Sequence, residues 1–175
     1  MRPWDRLADS YRRSRALRWA LELALLLGVL LAVDAFQTRQ HARGAVPQLP
    51  LRSLEGAVVP FSNLLGQPLL LVVWAPWCGV CKLESGNVSR ARGWLEPGVR
   101  VVSVAAAYRS VADVRGYMQQ QGVDYPVLLG ERGFEQALGV RAFPSMFVLD
   151  ARGRVVRSTQ GYTTTLGLFW RAKLF

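Results

Sequence analysis

The chain has very few of the side chains that form metal sites and disulfide frameworks. Its 175 residues include two cysteines and one histidine. Two cysteines are too few for the framework that holds small secreted domains together, and a structural zinc site needs a second pair of ligands that is missing. We therefore expect no bound metal and no cofactor. The cysteine pair points to chemistry rather than to a structural role.

Acidic residues are also scarce, with 12 Asp and Glu against 22 Lys and Arg and a formal net charge of +10. Such a charge is typical of nucleic-acid-binding proteins, but the arginines are scattered and no recognition module is present. We therefore expect no nucleic-acid partner. Hydrophobic residues make up 51% of the chain, which excludes a disordered protein and allows one packed domain plus a smaller segment.

Long apolar runs are limited to one, LRWALELALLLGVLLAVDAF at residues 17–36. At about 1.5 Å per residue, a helix of this length spans the roughly 30 Å of a bilayer core. Glu22 and Asp34 lie near the ends of the run, where charge is tolerated. We predict a transmembrane anchor. The alternatives are a cleavable signal peptide with a small-residue site near Ala35, and an ordinary buried helix.

Basic residues are concentrated before this run, which predicts its orientation. The arginines concerned are Arg2, Arg6, Arg12, Arg13, Arg15 and Arg18. An excess of arginine before a span keeps the N-terminus in the cytoplasm and exports the rest of the chain. The predicted organisation is a cytoplasmic N-terminus at 1–16, a span at 17–36, a polar tether at 37–46 that contains a solvated His41, and a globular domain at 47–175.

The exported part alternates between strand and helix patterns. The apolar run LLLVVWA, Leu69–Ala75, is typical of a strand covered on both faces, and Lys82–Leu95 is predicted as the helix after it. Ser110 with Asp113 three residues later indicates a capped helix. The other predicted elements are a hairpin around Glu55-Gly56 followed by a short helical turn, strands at 99–107 and 126–129, helices at 110–121, 133–139 and 163–174, and a hairpin turning at 151–153. This order predicts an α/β fold with a mixed sheet between helices.

Both cysteines lie in WAPWCGVC, residues 74–81. If Cys78 stands at the first turn of the helix, unpaired N–H groups and the helix dipole lower the pKa of its thiol and favour the thiolate. Cys81 is then close enough to resolve a mixed disulfide. Between them, Gly79 and Val80 supply neither a histidine to stabilise the thiolate nor a proline to stiffen the turn. A static bridge or a metal clip is the alternative.

This segment, with Trp77 directly before the first cysteine, resembles the active site of the thioredoxin-fold disulfide oxidoreductases. The similarity continues from about Leu49 to the C-terminus. Within that superfamily the chain is most similar to the membrane-tethered, periplasm-facing TlpA, ResA and DsbE group, and especially to the ScsD type associated with suppression of copper sensitivity. The segment LRSLEGAVVPFSNLLGQPLLLVVWAPWC matches the group's opening hairpin and strand, and the tail GYTTTLGLFWRAKL resembles the ScsD-type ending. The resemblance implies a thioredoxin-like three-layer fold with a mixed central sheet, preceded by a single transmembrane helix.

The family's fold places a cis-proline loop beside the thiols, and RAFPSMFVLD at residues 141–150 matches that loop. The resemblance implies a cis bond between Phe143 and Pro144. It also implies that the loop backbone pairs with an extended client segment and that Phe143 contacts the client.

Glu84 matches an acidic position near the thiols of ResA-type proteins, where a carboxylate modulates proton transfer. A solvated surface glutamate is the alternative. Where thioredoxin itself carries a buried acid, six residues before the first cysteine, this chain has Val72. Proton transfer from Cys81 would then use Glu84, water or the client.

Motif and resemblance together predict a thiol–disulfide oxidoreductase in the bacterial inner membrane with its catalytic domain in the periplasm. Cys78 is the expected nucleophile and Cys81 the resolving thiol. The expected partners are protein thiols or disulfides as substrates and a membrane or periplasmic electron-transfer partner. The direction of electron flow is open, because oxidants and reductants share this architecture. Family position favours a reductant, in copper or redox stress tolerance or in cytochrome c maturation.

Two other functions compete with this prediction. A Cu(I)-binding, copper-handling protein would use the two thiolates as soft ligands without redox turnover. Copper-delivering relatives typically add a histidine downstream of the cysteines, which this chain lacks. A peroxidase of the peroxiredoxin type would place its reactive cysteine in a different setting from WCGVC.

Overall fold

The computed structural model describes residues 15–38, 44–46, 50–131 and 133–173. The chain divides into two compact units, Met1–Arg39 and Gln40–Phe175. The arginines before Arg15, together with His41 and Leu49, lie outside the described residues.

The first unit contains the helix α1 (Arg15–Thr38). Its window Ala16–Val33 is long and apolar enough to cross a membrane, and no part of the window is buried. Exposed leucines along the whole window are the opposite of what the core helix of a soluble domain shows. The window is therefore a candidate transmembrane span, and a signal sequence satisfies the same criteria of length and composition.

The second unit is built on a mixed sheet, which has eight strands among the described residues. The strands are β1 (Gly44–Ala45), β2 (Leu51–Arg52), β3 (Val58–Val59), β4 (Leu69–Trp74), β5 (Arg100–Ala105), β6 (Val127–Gly130), β7 (Ser145–Leu149) and β8 (Arg154–Gln160). Their order across the sheet is β1-β8-β7-β4-β5-β6-β2-β3. The neighbours of β5 run parallel to it, and the other pairs are antiparallel. The predicted mixed sheet and both hairpins are confirmed.

The helices of this unit follow the predicted order. They are a short 3-10 helix (Phe61–Leu64), α2 (Gly79–Leu95), α3 (Val111–Gln121), α4 (Phe134–Ala137) and α5 (Thr165–Lys173). Helix α2 begins three residues before the predicted Lys82, because the side chain of Cys78 caps it. The predicted cap of α3 is confirmed, since Ser110 Oγ accepts from the N–H of Asp113 at 3.1 Å and Asp113 Oδ2 accepts from the N–H of Ser110 at 3.2 Å.

The sheet begins inside the segment predicted as a tether. Strand β1 pairs with β8, with Gly44 opposite Val155. Val46 follows β1, is buried, and donates its N–H to the carbonyl of Gly153 at 3.0 Å. The ordered domain therefore starts before the predicted boundary at residue 47. Polarity alone did not reveal this pairing, because β1 is only two residues long and its partner lies more than 100 residues downstream.

Strand β4 lies at the centre of the unit and separates two hydrophobic clusters. Its side chains alternate, so that Leu70, Val72 and Trp74 pack into one cluster while Leu69, Leu71 and Val73 pack into the other. The first cluster also contains Cys78 and Cys81. The second contains the aromatic rings of Phe61, Phe134 and Phe147. All six β4 side chains are buried, as the continuous apolar run predicted.

Candidate active site

The cysteine pair stands where the central strand gives way to helix α2. Cys78 is the N-cap of α2, and its Sγ accepts a hydrogen bond from the N–H of Cys81 at 3.1 Å. The two side chains form a disulfide, with their Cα atoms 5.3 Å apart. Both cysteines are buried. The sulfur of Cys78 therefore occupies the end of the helix where backbone N–H groups lack carbonyl partners, which is the place that favours a negative charge.

The cis-proline loop lies against this sulfur. The peptide bond between Phe143 and Pro144 is cis, as predicted. Cys78 Sγ is 3.5 Å from the carbonyl oxygen of Phe143. In the disulfide form the sulfur has no proton to donate, whereas a thiol at this position can donate to that carbonyl. The loop is brought here by the antiparallel pairing of β4 with β7, in which Val73 is opposite Ser145.

Exposed apolar side chains surround the buried pair. Trp77 is 65% exposed, and its ring meets that of Phe143 edge to face with the centroids 5.7 Å apart. Its Nε1 donates to the carbonyl of Ala107 at 2.9 Å. Val80, in the first turn of α2, is also exposed. These side chains form an apolar rim around the disulfide.

A cavity of about 290 Å³ opens next to the rim. Trp77 and Tyr108 lie on one side of it, and Asp113 and Gln120 of α3 lie on the other. Ala107, next to Tyr108 in the chain, has a φ of 48°, a left-handed conformation that is uncommon for alanine. Its carbonyl accepts from Trp77 in this conformation, and nothing in the sequence indicated this contact.

Glu84 lies three residues after Cys81 in α2 and is buried, with an exposed fraction of 1%. Its Oε1 accepts from the N–H of Thr163 at 2.6 Å, and its Oε2 has no partner among the described residues. Burial raises the pKa of Glu84 to about 8, and the hydrogen bond from Thr163 only partly offsets this rise. The surface alternative for Glu84 is therefore wrong. The spacing from Cys81 to Glu84 to Val88 was the available signal, because residues three and four apart share one face of a helix.

Two tyrosines that belong to no recognised sequence motif lie in the same region. Burial raises the pKa of Tyr117 to about 12, with a hydrogen bond to Ser85 opposing the rise and the charge of Glu84 adding to it. Burial also raises the pKa of Tyr125. The ring of Trp74 stacks on that of Tyr117 at a centroid distance of 4.1 Å. Trp74 Nε1 is buried and has no hydrogen-bond partner within the described part of the chain. In the sequence, only the three-residue spacing from Val114 to Tyr117 indicates that Tyr117 is buried. The same spacing is typical of any core position of a helix, so it does not indicate a place near the cysteines.

The structure thus brings together the predicted residues Trp77, Cys78, Cys81, Phe143 and Pro144. Gly79 and Val80 form the exposed first turn of α2 between the thiols. Val72 is buried on the side of β4 that faces the pair, so β4 supplies no acid there. Among the described residues there is no group of three or more His, Cys, Asp or Glu side chains suited to hold a metal ion.

Comparisons with known proteins agree with this geometry. The Redoxin family matches residues 35–166. The thiol-disulfide oxidoreductase ResA of Bacillus subtilis (strain 168) is 29% identical over 120 residues, which cover 67% of this chain and 66% of ResA. The chain therefore spans just under two thirds of that relative. The thiol:disulfide interchange protein DsbE of Pasteurella multocida (strain Pm70) is 26% identical over 148 residues, which cover 74% of this chain and 78% of DsbE.

A solved structure extends the similarity to three dimensions. The structure of MTB dsbF in its mixed oxidized and reduced forms has a TM-score of 0.66 and 26% sequence identity, and the match covers 75% of this chain and 97% of that one. The predicted thioredoxin-like α/β fold with a mixed sheet is confirmed.

Proposed function

The chain belongs to the Redoxin family, and from that premise we propose that it is a thiol–disulfide oxidoreductase that exchanges disulfides with protein clients. One observation carries the proposal. Cys78 caps α2, is bonded to Cys81, and lies 3.5 Å from the carbonyl oxygen of the residue before a cis-proline. This arrangement gives one sulfur a helix N-terminus to stabilise its thiolate and a second sulfur within bonding distance.

In the reductive direction, the Cys78 thiolate attacks one sulfur of a client disulfide. A bond forms between Cys78 and that sulfur, and the other client sulfur leaves as a thiolate. Cys81 then loses its proton and attacks Cys78 Sγ, which releases the first client sulfur. Two electrons pass from the dithiol to the client, and the protein is left with the Cys78–Cys81 disulfide. An electron-transfer partner in the membrane or periplasm returns the two electrons.

Glu84 is the proposed acceptor of the Cys81 proton. It is three residues past Cys81 on the buried face of α2, and one of its carboxylate oxygens has no partner among the described residues. With its pKa raised to about 8, the carboxyl group is mostly protonated at neutral pH. The ionised fraction, which can accept the proton, grows as the pH approaches 8. The position six residues before Cys78, where thioredoxin carries a buried acid, is occupied by Val72 in this chain. Strand β4 contributes only apolar side chains to the side of the sheet that holds the cysteines.

The client would meet the protein at the cis-proline loop and the apolar rim. Phe143 and Trp77 are the side chains expected to contact it, because both lie at the opening above Cys78. An extended client segment would pair with the loop backbone by strand addition. The cavity beside Trp77 offers room for a client side chain next to the reacting cysteine.

Anchoring and orientation belong to the same proposal. The candidate span Ala16–Val33 supports a single-pass anchor. The arginines before it support a cytoplasmic N-terminus and a periplasmic domain in the bacterial inner membrane. The C-terminal segment GYTTTLGLFWRAKL supports the ScsD type, with a role in copper or redox stress tolerance or in cytochrome c maturation.

The test uses the purified full chain with a model protein disulfide. We expect the reduced chain to reduce it. We expect Cys81→Ala to accumulate a mixed disulfide and Cys78→Ala to capture no client. Equal trapping by both variants would refute the assigned roles. Equilibration of the pair with glutathione measures its potential, and a potential more oxidising than that of the glutathione couple would reverse the proposed direction of electron flow.

A further inference from the structure

Helices α2 and α5 pack side by side, and their contacts recur every four residues. Arg90 Nε donates to Thr165 Oγ1 at 3.2 Å. One turn further along both helices, the rings of Trp94 and Phe169 meet edge to face with centroids 6.0 Å apart. The two helices therefore run in the same direction and present a common outer surface.

Large apolar side chains project from this surface. Trp94 is 54% exposed, Leu166 is 56% exposed and Trp170 is 51% exposed. The ring of Trp170 packs against that of Phe169 with a centroid distance of 5.8 Å. We call this surface the α2–α5 face and define it by Leu83, Trp94, Leu166 and Trp170. Exposed apolar side chains that share one face, rather than being scattered singly, mark a contact surface.

The same two helices are strongly cationic. Arg90 and Lys173 lie beside the face, because Arg90 bonds to Thr165 of α5 and Lys173 follows Trp170 by about one turn of α5. Arg92 is instead turned to the carbonyl of Asp124, and Arg171 lines a small cavity against β7 and β8. Glu84 is the one acidic residue within either helix, and it is buried. Glu96, directly after α2, pairs with Arg92 at 2.9 Å. A second copy of this chain would bring like charges together at this face, so self-association is disfavoured.

We propose that the α2–α5 face binds the anionic surface of the membrane. Tryptophan rings prefer the membrane–water interface, because the ring is apolar while its N–H stays hydrated. Lysine and arginine beside them reach the phosphate groups of the lipids. The inference rests on the proposed membrane anchoring, because a tethered domain meets the bilayer at a high effective concentration.

This contact would also orient the dithiol. Trp94 is 16 residues after Cys78, which corresponds to about 24 Å along the helix. Leu83, less than two turns past Cys78, belongs to the same face and is 73% exposed. With both parts of α2 against the bilayer, the cysteines stay near the membrane surface, within reach of an electron donor embedded in it.

The experiment uses the full chain in protein-free vesicles of phosphatidylcholine and phosphatidylglycerol that carry bromine near the headgroup end of the acyl chains. Bromine quenches nearby tryptophan fluorescence. In the double variant Trp94→Phe with Trp170→Phe, we expect the part of the fluorescence of the second unit that bromine quenches to fall by at least half. Quenching of Trp19 in α1 should persist. Circular dichroism checks that the variant is folded.

A pair of charge reversals sharpens the test. Lys173 lies on α5 next to the face, whereas Arg152 is exposed in the turn between β7 and β8. We expect Lys173→Glu to lower the ratio of bound to detached domain at least about fivefold, the factor that corresponds to about 1 kcal/mol per basic residue at an anionic surface. Arg152→Glu carries the same change of net charge and should have less than a twofold effect.

Equal quenching of the wild type and the double tryptophan variant would overturn the proposal. Equal effects of the two charge reversals would overturn it as well. If the face binds a protein instead, no tryptophan of the domain is quenched in these vesicles, which also contradicts it. Failure of the proposed anchor can be told apart from failure of the α2–α5 face to bind. If the anchor fails, quenching of Trp19 is lost and alkaline extraction releases the chain from the vesicles.

Discussion

The side of the central sheet that holds the cysteines also holds buried groups that can ionise. Cys78, Cys81, Tyr117 and Tyr125 belong to that cluster, and Glu84 is buried on the same helix as the cysteines. The cluster on the other side of the sheet consists of aliphatic and aromatic residues alone. A substitution of one of these ionisable groups on the first side therefore changes proton binding as well as packing. A substitution on the second side changes packing only.

The largest expected effect is that of Glu84→Gln, on the side of the sheet that holds the cysteines. Because the pKa of Glu84 is raised from 4.5 to about 8 on folding, the native state binds a proton more tightly than the unfolded state. Its contribution to stability is fully present below pH 4.5 and is lost as the pH rises towards 8. The free energy of unfolding of the wild type, relative to that of the variant, should fall by on the order of 5 kcal/mol across this range. Urea unfolding at a series of pH values measures it.

Glu55→Gln is the matched control for this measurement. Glu55 is exposed, and a hydrogen bond from Ser53 is the main cause that lowers its pKa below 4.5. Its titration therefore lies below the range in which Glu84 acts, and its removal should leave the difference between pH 4.5 and 8 unchanged. If Glu84→Gln behaves like Glu55→Gln, the two sides of the sheet do not differ in proton binding as described.

Phe147→Ala tests the apolar side. Phe147 is fully buried on β7 in the second cluster, and truncation of a buried phenylalanine leaves a cavity. The free energy of unfolding should drop by about 3–5 kcal/mol at every pH. We expect the pH dependence of the Cys78 alkylation rate, measured on the folded protein, to keep its wild-type midpoint. A shifted midpoint would show that the two sides are coupled.

Tyr117→Phe should have the smallest effect of the three. The variant keeps the ring that stacks on Trp74 and removes only the hydroxyl that bonds to Ser85. Loss of one buried hydrogen bond costs about 1 kcal/mol, which urea unfolding detects. In ultraviolet titration of the folded protein, one tyrosine that ionises near pH 12 should disappear. No change in the titration curve would show that Tyr117 is not a tyrosine that ionises near pH 12.

Local sequence patterns predicted the strand before α2 and the helix α3 after it. The apolar run of β4 is a strand buried on both faces, and the capped start of α3 was readable from Ser110 and Asp113. The start of α2 was predicted three residues late, because a cysteine is not a usual capping residue and only the contact from Cys78 Sγ to the N–H of Cys81 shows the cap. The cis bond at Pro144 came from family resemblance, since sequence statistics alone favour trans.

The sequence by itself determined the thiols, their spacing, the central strand before them and the apolar helix near the N-terminus, because all of these depend on neighbouring residues. The tertiary structure decided what surrounds the thiols. Thr163 donates to Glu84 from 79 residues downstream, and β1 pairs with β8 from the other end of the domain. Burial and the choice of hydrogen-bond partner depend on which distant segments meet, and the pKa of Glu84 depends on both.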